Sequence, residues 1–322
     1  MVKKLKVMFA ACMAALSLSA AAAEDYPTKP ITIVLPYATG GSADLLARLA
    51  AQAIQDKLGQ SVIVESKPGA GGVLGTEYVA RAKPDGYTLL VTASGTMAVN
   101  PYVYKLRYRP LEDFEQVTVL VDLPFVVVTN NEFPTKDLKE FVDYARANPN
   151  AIRFGNAGMG TQQHLTQMMI GRAADVQLNI VPYKGSSPAM NDLLGGHIDA
   201  VLDNTGVQTP FIKSGKVRPL FVTAPERVAA LPDVPTAAEA GLPGFQSVAW
   251  FGLAAPHGTP EAVVEKIQQA VAEAFAKPEM QQRLLDVAMI PKASTPAETT
   301  ERVKADLQTF GKIAKEIDLQ PM

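Results

Sequence analysis

Two stretches of this chain carry residue types whose spacing could do chemistry. The first, VLPYATGGSADLLARLA at residues 34–50, runs from a β-branched strand through glycines and hydroxyls into a helix of apolar periodicity. The second, RFGNAGMGTQQHLTQMMI at residues 153–170, repeats that plan, with Thr161 placed to cap its helix and His164 and Leu165 in the first turns. Neither loop contains lysine or arginine. Backbone N–H groups at a helix start are unpaired and lie at the positive end of its dipole. Loops leaving the carboxyl ends of parallel strands are where ligands bind. Two such loops facing across a cleft would hold a carboxylate through amides and hydroxyls alone. Three or four charge-assisted hydrogen bonds of about 1.5–3 kcal/mol each suffice for micromolar binding, which needs about 8 kcal/mol. The competing reading is that both are ordinary turns whose glycines only shorten the loop.

Other chemistries fail on the residues. No G-x-x-x-x-G-K-[ST] run is present. GAGGVLG places its last glycine one position too far for a dinucleotide fingerprint, and GMGTQQ has Gln163 where the third glycine belongs. There is no G-x-S-x-G elbow. The three histidines, His164, His197 and His257, make no metal motif. The expectation is therefore no catalytic residue, no metal and no cofactor. A cleft enzyme acting on a carboxylated substrate, with His164 as its base, is the alternative, but nothing recruits a nucleophile beside that ring.

The chain has 322 residues, 48% hydrophobic and 19% charged, with formal net charge −2. That length admits one large or two medium domains, and the balanced charge leaves no footprint for nucleic acid. Residues 1–23 read as a signal peptide: Lys3, Lys4 and Lys6, an apolar stretch from Val7 to Leu18, then Ala21-Ala22-Ala23 before Glu24. An uncleaved anchor is the competing reading, but the stretch is short against the roughly 20 residues that span a bilayer. Cys12 is the only cysteine and is a poor lipoprotein site, so the mature chain would have no disulfide or thiolate. An exported, cysteine-free chain fits a periplasm.

The elements that would position the two loops alternate. ITIVLPY, SVIVES and YTLLVTAS read as strands, separated by a helix with Leu45, Leu46, Leu49, Ile54 and Leu58 at helical spacing, closed by Gly59, and by a helix around Leu74–Ala82. VTVLVDLPFVVVTN, at residues 117–130, reads as one strand interrupted by Pro124. A second βα block follows: a helix near 135–147, AIRFGN, a helix from Thr161 to Ala173, LNIVPYK, SPAMNDLLGG, HIDAVLDN and VRPLFVTA. SVAWFGLAAP is a second long apolar strand, and two helical patterns close the chain. Extended segments near 120–128 and 247–255 would link the blocks, with the last helices returning to the first. The pattern predicts an α/β protein of two lobes around a cleft, each lobe a mostly parallel sheet flanked by helices.

The set YPTKPITIVLPYATGGSAD, VIVESKPGAGGVLGTEYVARAKPDGYTLL, NAGMGTQQHL, VPYKGSSPAMNDLLGGHIDAVLDN and WFGLAAPHGTP resembles the Bug-type, TctC-like solute-binding proteins of tripartite tricarboxylate transporters, over essentially the whole mature chain. The resemblance implies the type II periplasmic-binding-protein fold, a "Venus flytrap". The first lobe would comprise residues 24–123 and 248–322, and the inserted lobe residues 124–247. It implies a monomer that captures a small carboxylate and delivers it to a two-component membrane permease. A ligand-reporting subunit for a sensor kinase would use the same cleft.

Carried over by resemblance, Tyr37 to Asp44 and Gly158 to His164 pinch the carboxylate. The amides of Thr39, Gly40, Gly41 and Ser42 hold one side, with Tyr37 as a wall. Gly158, Gly160, Thr161 and Gln162 donate from the other, with His164 nearby. Asp44 caps its own helix or orders its loop rather than touching an anion, since like charges repel. Ser94 and Thr96 lie at the same cleft edge. Lys184, Asp203 and Asn204 read the distal end of the ligand, or Lys184 and Asp203 form an ion pair that supports the lobe. Tyr37, Tyr102, Trp250 and Phe251 would suit an aromatic acid, or are hinge core.

Overall fold

The computed structural model describes residues 26–316 except 160 and 184. The expected signal peptide therefore lies outside the described residues. In chain order the strands are β1 (Ile31–Leu35), β2 (Val62–Ser66), β3 (Thr88–Ala93), β4 (Phe114–Asn130), β5 (Arg153–Asn156), β6 (Asn179–Pro182), β7 (Ala200–Asn204), β8 (Val217–Val222), β9 (Val248–Pro256) and β10 (Ile290–Pro291). The helices are α1 (Ser42–Leu58), α2 (Val73–Ala80), α3 (Asn100–Val103), α4 (Leu138–Ala147), α5 (Gln162–Ala173), α6 (Ser186–Leu194), α7 (Thr205–Lys213), α8 (Glu261–Phe275), α9 (Pro278–Asp286) and α10 (Pro296–Glu316).

The strand order β2-β1-β3-β9-β4-β7-β5-β6 makes two lobes, with β8 and β10 pairing to β4 off this path. β1 runs parallel to β2 and β3, and β5 runs parallel to β6 and β7. β9 is antiparallel to both β3 and β4. β4 joins the lobes: up to Pro124 it pairs with β9, and from Phe125 it pairs with β7 and β8.

Pro124 does not interrupt the strand as the sequence suggested. It forms the last rung opposite Val248, just before β4 changes partner. A missing N–H is tolerated where a ladder ends, and the Pro124 carbonyl accepts from the Thr205 hydroxyl at 3.1 Å.

Strand periodicity sorts the first lobe into two cores. Ile31, Ile33 and Leu35 meet Leu46 and Ile54 of α1 and Ile267 and Val271 of α8 on one face. Val34 and Leu90 meet Trp250 and Val303 on the other. The second lobe divides likewise, Phe154 and Leu202 on one side, Val128 and Val201 on the other. α1 ends as its sequence predicts, with Gly59 left-handed at φ 72° and its N–H on the Gln55 carbonyl. The closing helices return to the first lobe, and Phe310 of α10 packs with Ala98, Val99 and Val103 against Leu165 of α5. No described helix is long and apolar enough to cross a membrane.

Candidate ligand-binding site

A cavity of about 630 Å³ lies between the lobes, at the exits of β3, β5 and β7 and against the crossing strands. That size suits a small organic ligand. Tyr37, Gly71, Ser94, Gly95, Asn100 and Tyr104 line it from the first lobe. The 157–159 loop, Thr161, Gln162, Gln163, Tyr183 and Asn204 line it from the second. Phe125, Ala249, Trp250 and Phe251 form the back. Among the described residues, no lining side chain is charged.

The second-lobe loop is held from beneath. Asn156 and Gln167 are both fully buried, and the Asn156 amide donates to Gln167 Oε1 at 2.7 Å. Asn156 Oδ1 accepts the Gly158 N–H at 2.8 Å, while Gln167 Nε2 donates to the Gly155 carbonyl at 2.7 Å. Gly158 sits at φ +157°, with the Tyr183 carbonyl 3.3 Å from where a Cβ would stand. Thr161 caps α5, its hydroxyl accepting from His164 N at 3.3 Å. Gln162 and Gln163 line the cavity and are the first helical positions, whose amides have no partner within a helix. A helix start offers N–H donors and a positive dipole end, and no described side chain lining the cavity is charged.

The first-lobe wall comes from β3, which passes into a short π-helix over Gly95–Val99. The Ser94 hydroxyl, 2% exposed, donates to Gln162 Oε1 across the cleft and accepts from Trp250 N at 3.4 Å. Gln162 Nε2 continues to Ser247 Oγ at 3.4 Å, and Ser247 shares a 2.6 Å bond with Thr166. Tyr37 is packed edge-on to Phe251, its ring centroid 6.1 Å away. Burial pushes the Tyr37 phenol well above its usual range, so it stays neutral.

Of the residues expected from sequence, Tyr37, Ser94, Gly158, Thr161, Gln162 and Asn204 line the cavity. Thr39, Gly40, Gly41 and Ser42 do not: the first three are exposed and Ser42 is half-buried. The Gly40 amide is already used, donating to Asp44 Oδ2 at 3.0 Å. Asp44 thus orders its loop, and that N–H together with Arg48 holds its carboxyl below the usual range. Thr96 is fully buried behind the wall, its hydroxyl on the Ala93 carbonyl at 3.1 Å. His164 is buried and does not line the cavity, and burial lowers its pKa. Asp203 is fully buried beneath Gln163 and Asn204 rather than exposed to the cavity. Gly160 and Lys184 lie outside the described residues. Tyr102 donates to the Leu307 carbonyl at 2.8 Å, tying α3 to α10, and does not line the cavity.

Sequence reasoning missed Gly71, Asn100, Tyr104 and Tyr183, and included Gln163 only as part of the Gly158–His164 loop. Tyr183 carried a usable signal, since it adjoins a strand end already singled out. Asn100 and Tyr104 follow the π-helix, which has no periodicity to read.

The family described as tripartite tricarboxylate transporter family receptor (TctC) matches residues 46–319. A UPF0065 protein of Agrobacterium vitis, from the TAR-I ttuE-ttuC' intergenic region, is 38% identical over 300 residues, 92% of this chain and 87% of the relative. A solved R. palustris protein with adipate is 32% identical at a TM-score of 0.85, covering 92% of this chain and all of that one (100%). MatC from Rhodopseudomonas palustris with bound malate is 36% identical at a TM-score of 0.79, covering 90% of this chain and 100% of that one.

Proposed function

We propose that this chain, which belongs to the tripartite tricarboxylate transporter family of receptors, captures a small carboxylate between its lobes in the periplasm and delivers it to a two-component membrane permease. Family members are solute receptors and not enzymes, which sets aside the reading of His164 as a catalytic base. The carrying observation is the interlobe cavity, bounded by uncharged described side chains and lined by Gln162 and Gln163, the first residues of α5. An anion bound there meets oriented N–H groups and the helix dipole. The relatives solved with adipate and with malate support a carboxylate as the ligand class.

In this reading Gln162 and Gln163 donate through their backbone, Thr161 and Gly158 shape the loop, and Tyr37, Ser94 and Asn204 enclose the ligand. The loop of residues 39–42 closes over it, bringing the Gly41 and Ser42 amides toward the carboxylate. Gly160 and Lys184 keep the ligand-binding roles that the resemblance implies. Residues 24–123 with 248–322 act as one lobe and 124–247 as the other, a division supported by the change of β4 partners after Pro124. Residues 1–23 direct export, and the mature chain works as a monomer.

A thermal-shift screen of mono-, di- and tricarboxylates tests this. A true ligand at about 100 times its dissociation constant adds ~2.7 kcal/mol of stability and a clear rise in melting temperature. Absence of any shift across the acids, with neutral sugars shifting instead, would refute the carboxylate reading.

A further inference from the structure

Three residues on the second-lobe side of the cavity each direct a side-chain hydrogen-bond donor at a carboxylate that stands behind them. Gln163 Nε2 donates to Asp203 Oδ1 at 3.3 Å. The Asn204 backbone and side-chain amides donate to that same oxygen at 2.7 and 3.4 Å. The Tyr183 hydroxyl donates to Asp192 Oδ2 at 2.6 Å. All three residues line the cavity, and Asp203 does not reach it.

An amide whose nitrogen faces a carboxylate turns its carbonyl oxygen the other way, and rotating it would set oxygen against oxygen. The backbone N–H of Asn204 fixes Oδ1 of Asp203 as an acceptor, so this polarity holds even if the buried carboxyl takes a proton on Oδ2. A phenol has a single hydrogen, and Tyr183 has used it.

We infer that Gln163, Tyr183 and Asn204 form a wall of hydrogen-bond acceptors, polarised by Asp203 and Asp192, and that the ligand carries a hydroxyl or ammonium donor to meet it besides its carboxylate. This rests on the carboxylate reading above and narrows its substrate class. A second carboxylate or a bare methylene against this wall leaves buried acceptors unpaired, and an unmade buried hydrogen bond is costly. Asp203 and Asp192 are positioning residues, because they act through the groups in front of them.

The test is calorimetry on the purified full chain with matched short acids, each as the unsubstituted acid, its hydroxy derivative and its amino derivative. The expected result is at least one series in which a donor-bearing member binds about tenfold more tightly than the unsubstituted acid. A gain for ammonium above hydroxyl shows that the wall's negative field adds to its hydrogen bonding; equal gains show hydrogen bonding alone; either supports the inference. Asp203→Asn releases the two amides to turn and is expected to erase most of the preference. Tyr183→Phe removes one acceptor without removing a buried charge, is expected to reduce the preference by about fivefold, and serves if Asp203→Asn does not fold. Unsubstituted acids binding as tightly as their derivatives in every series, or a preference unchanged in the variants, overturns the inference and leaves the carboxylate reading standing. If no acid binds at all, the carboxylate reading falls and the inference falls with it.

Discussion

Ser94 and Gln162 come from opposite lobes, 68 positions apart, yet the Ser94 hydroxyl donates directly to Gln162 Oε1 in a buried contact. Through Ser247 and Thr166 the contact extends into a polar chain behind the cavity. Part of the contact between the lobes is therefore made by the protein itself, and a ligand that touches both lobes adds to it.

Ser94→Ala leaves the Gln162 oxygen without its donor. The expected cost is about 1–3 kcal/mol of stability, seen as a fall in melting temperature of roughly 2–4 °C per kcal/mol. Solution scattering without ligand should also report a larger radius of gyration as the lobes part. Unchanged melting and scattering would show that the contact does not hold the lobes.

The Asn156–Gln167 pair should matter more to the folded loop. Gln167→Leu strands the buried Asn156 amide and the Phe154 and Gly155 carbonyls, which accept from Gln167 at 3.2 and 2.7 Å. Chemical denaturation is expected to show a loss of about 2–4 kcal/mol, with carboxylate affinity falling about tenfold. A loss under about 1 kcal/mol would contradict the role assigned to the pair.

His164 gives a pH prediction. Burial lowers its folded pKa below the unfolded value of about 6.5, so on acidification the unfolded chain takes up this proton first. Stability contributed by the neutral ring is present above about pH 6.5 and is lost as the pH falls through that value toward the folded pKa. Asp203 has the opposite sign, because burial raises its pKa and the folded state keeps the proton longer. His164→Gln is expected to flatten the decline in stability below about pH 6.5; an unchanged pH profile of denaturation midpoints would refute this.

Trp250 is the chain's single tryptophan and lines the cavity. Its indole N–H donates to Asp306 Oδ2 at 2.7 Å. Ligand binding is expected to change its emission, and Trp250→Phe to remove that signal while calorimetry still detects ligand. Saturable binding with no change in emission would place the ligand elsewhere.

Much of this was legible in the residues because it rests on local rules. The βα alternation, the leucine spacing of α1 closed by Gly59, and the Thr161 cap all appear where the sequence put them. Asp44 also orders its own loop, as its charge suggested. What sequence could not show depends on contacts distant along the chain. Ser94, Gln162 and Ser247 are small or neutral residues with no shared pattern until the lobes bring them together. Pro124 looked like an interruption because strand membership was judged locally, whereas its tolerance comes from the change of partners around it. The Thr39–Ser42 loop had the right composition and Asp44 was a candidate to order it, but which amide that carboxylate would occupy was not legible.

The most direct measurement is a crystal structure of the protein with a carboxylate identified by the screen. The expected result is a carboxylate group within hydrogen-bond distance of the backbone nitrogens of Gln162 and Gln163 at the start of α5. A carboxylate gripped by a lysine or arginine side chain away from that helix start would contradict the account.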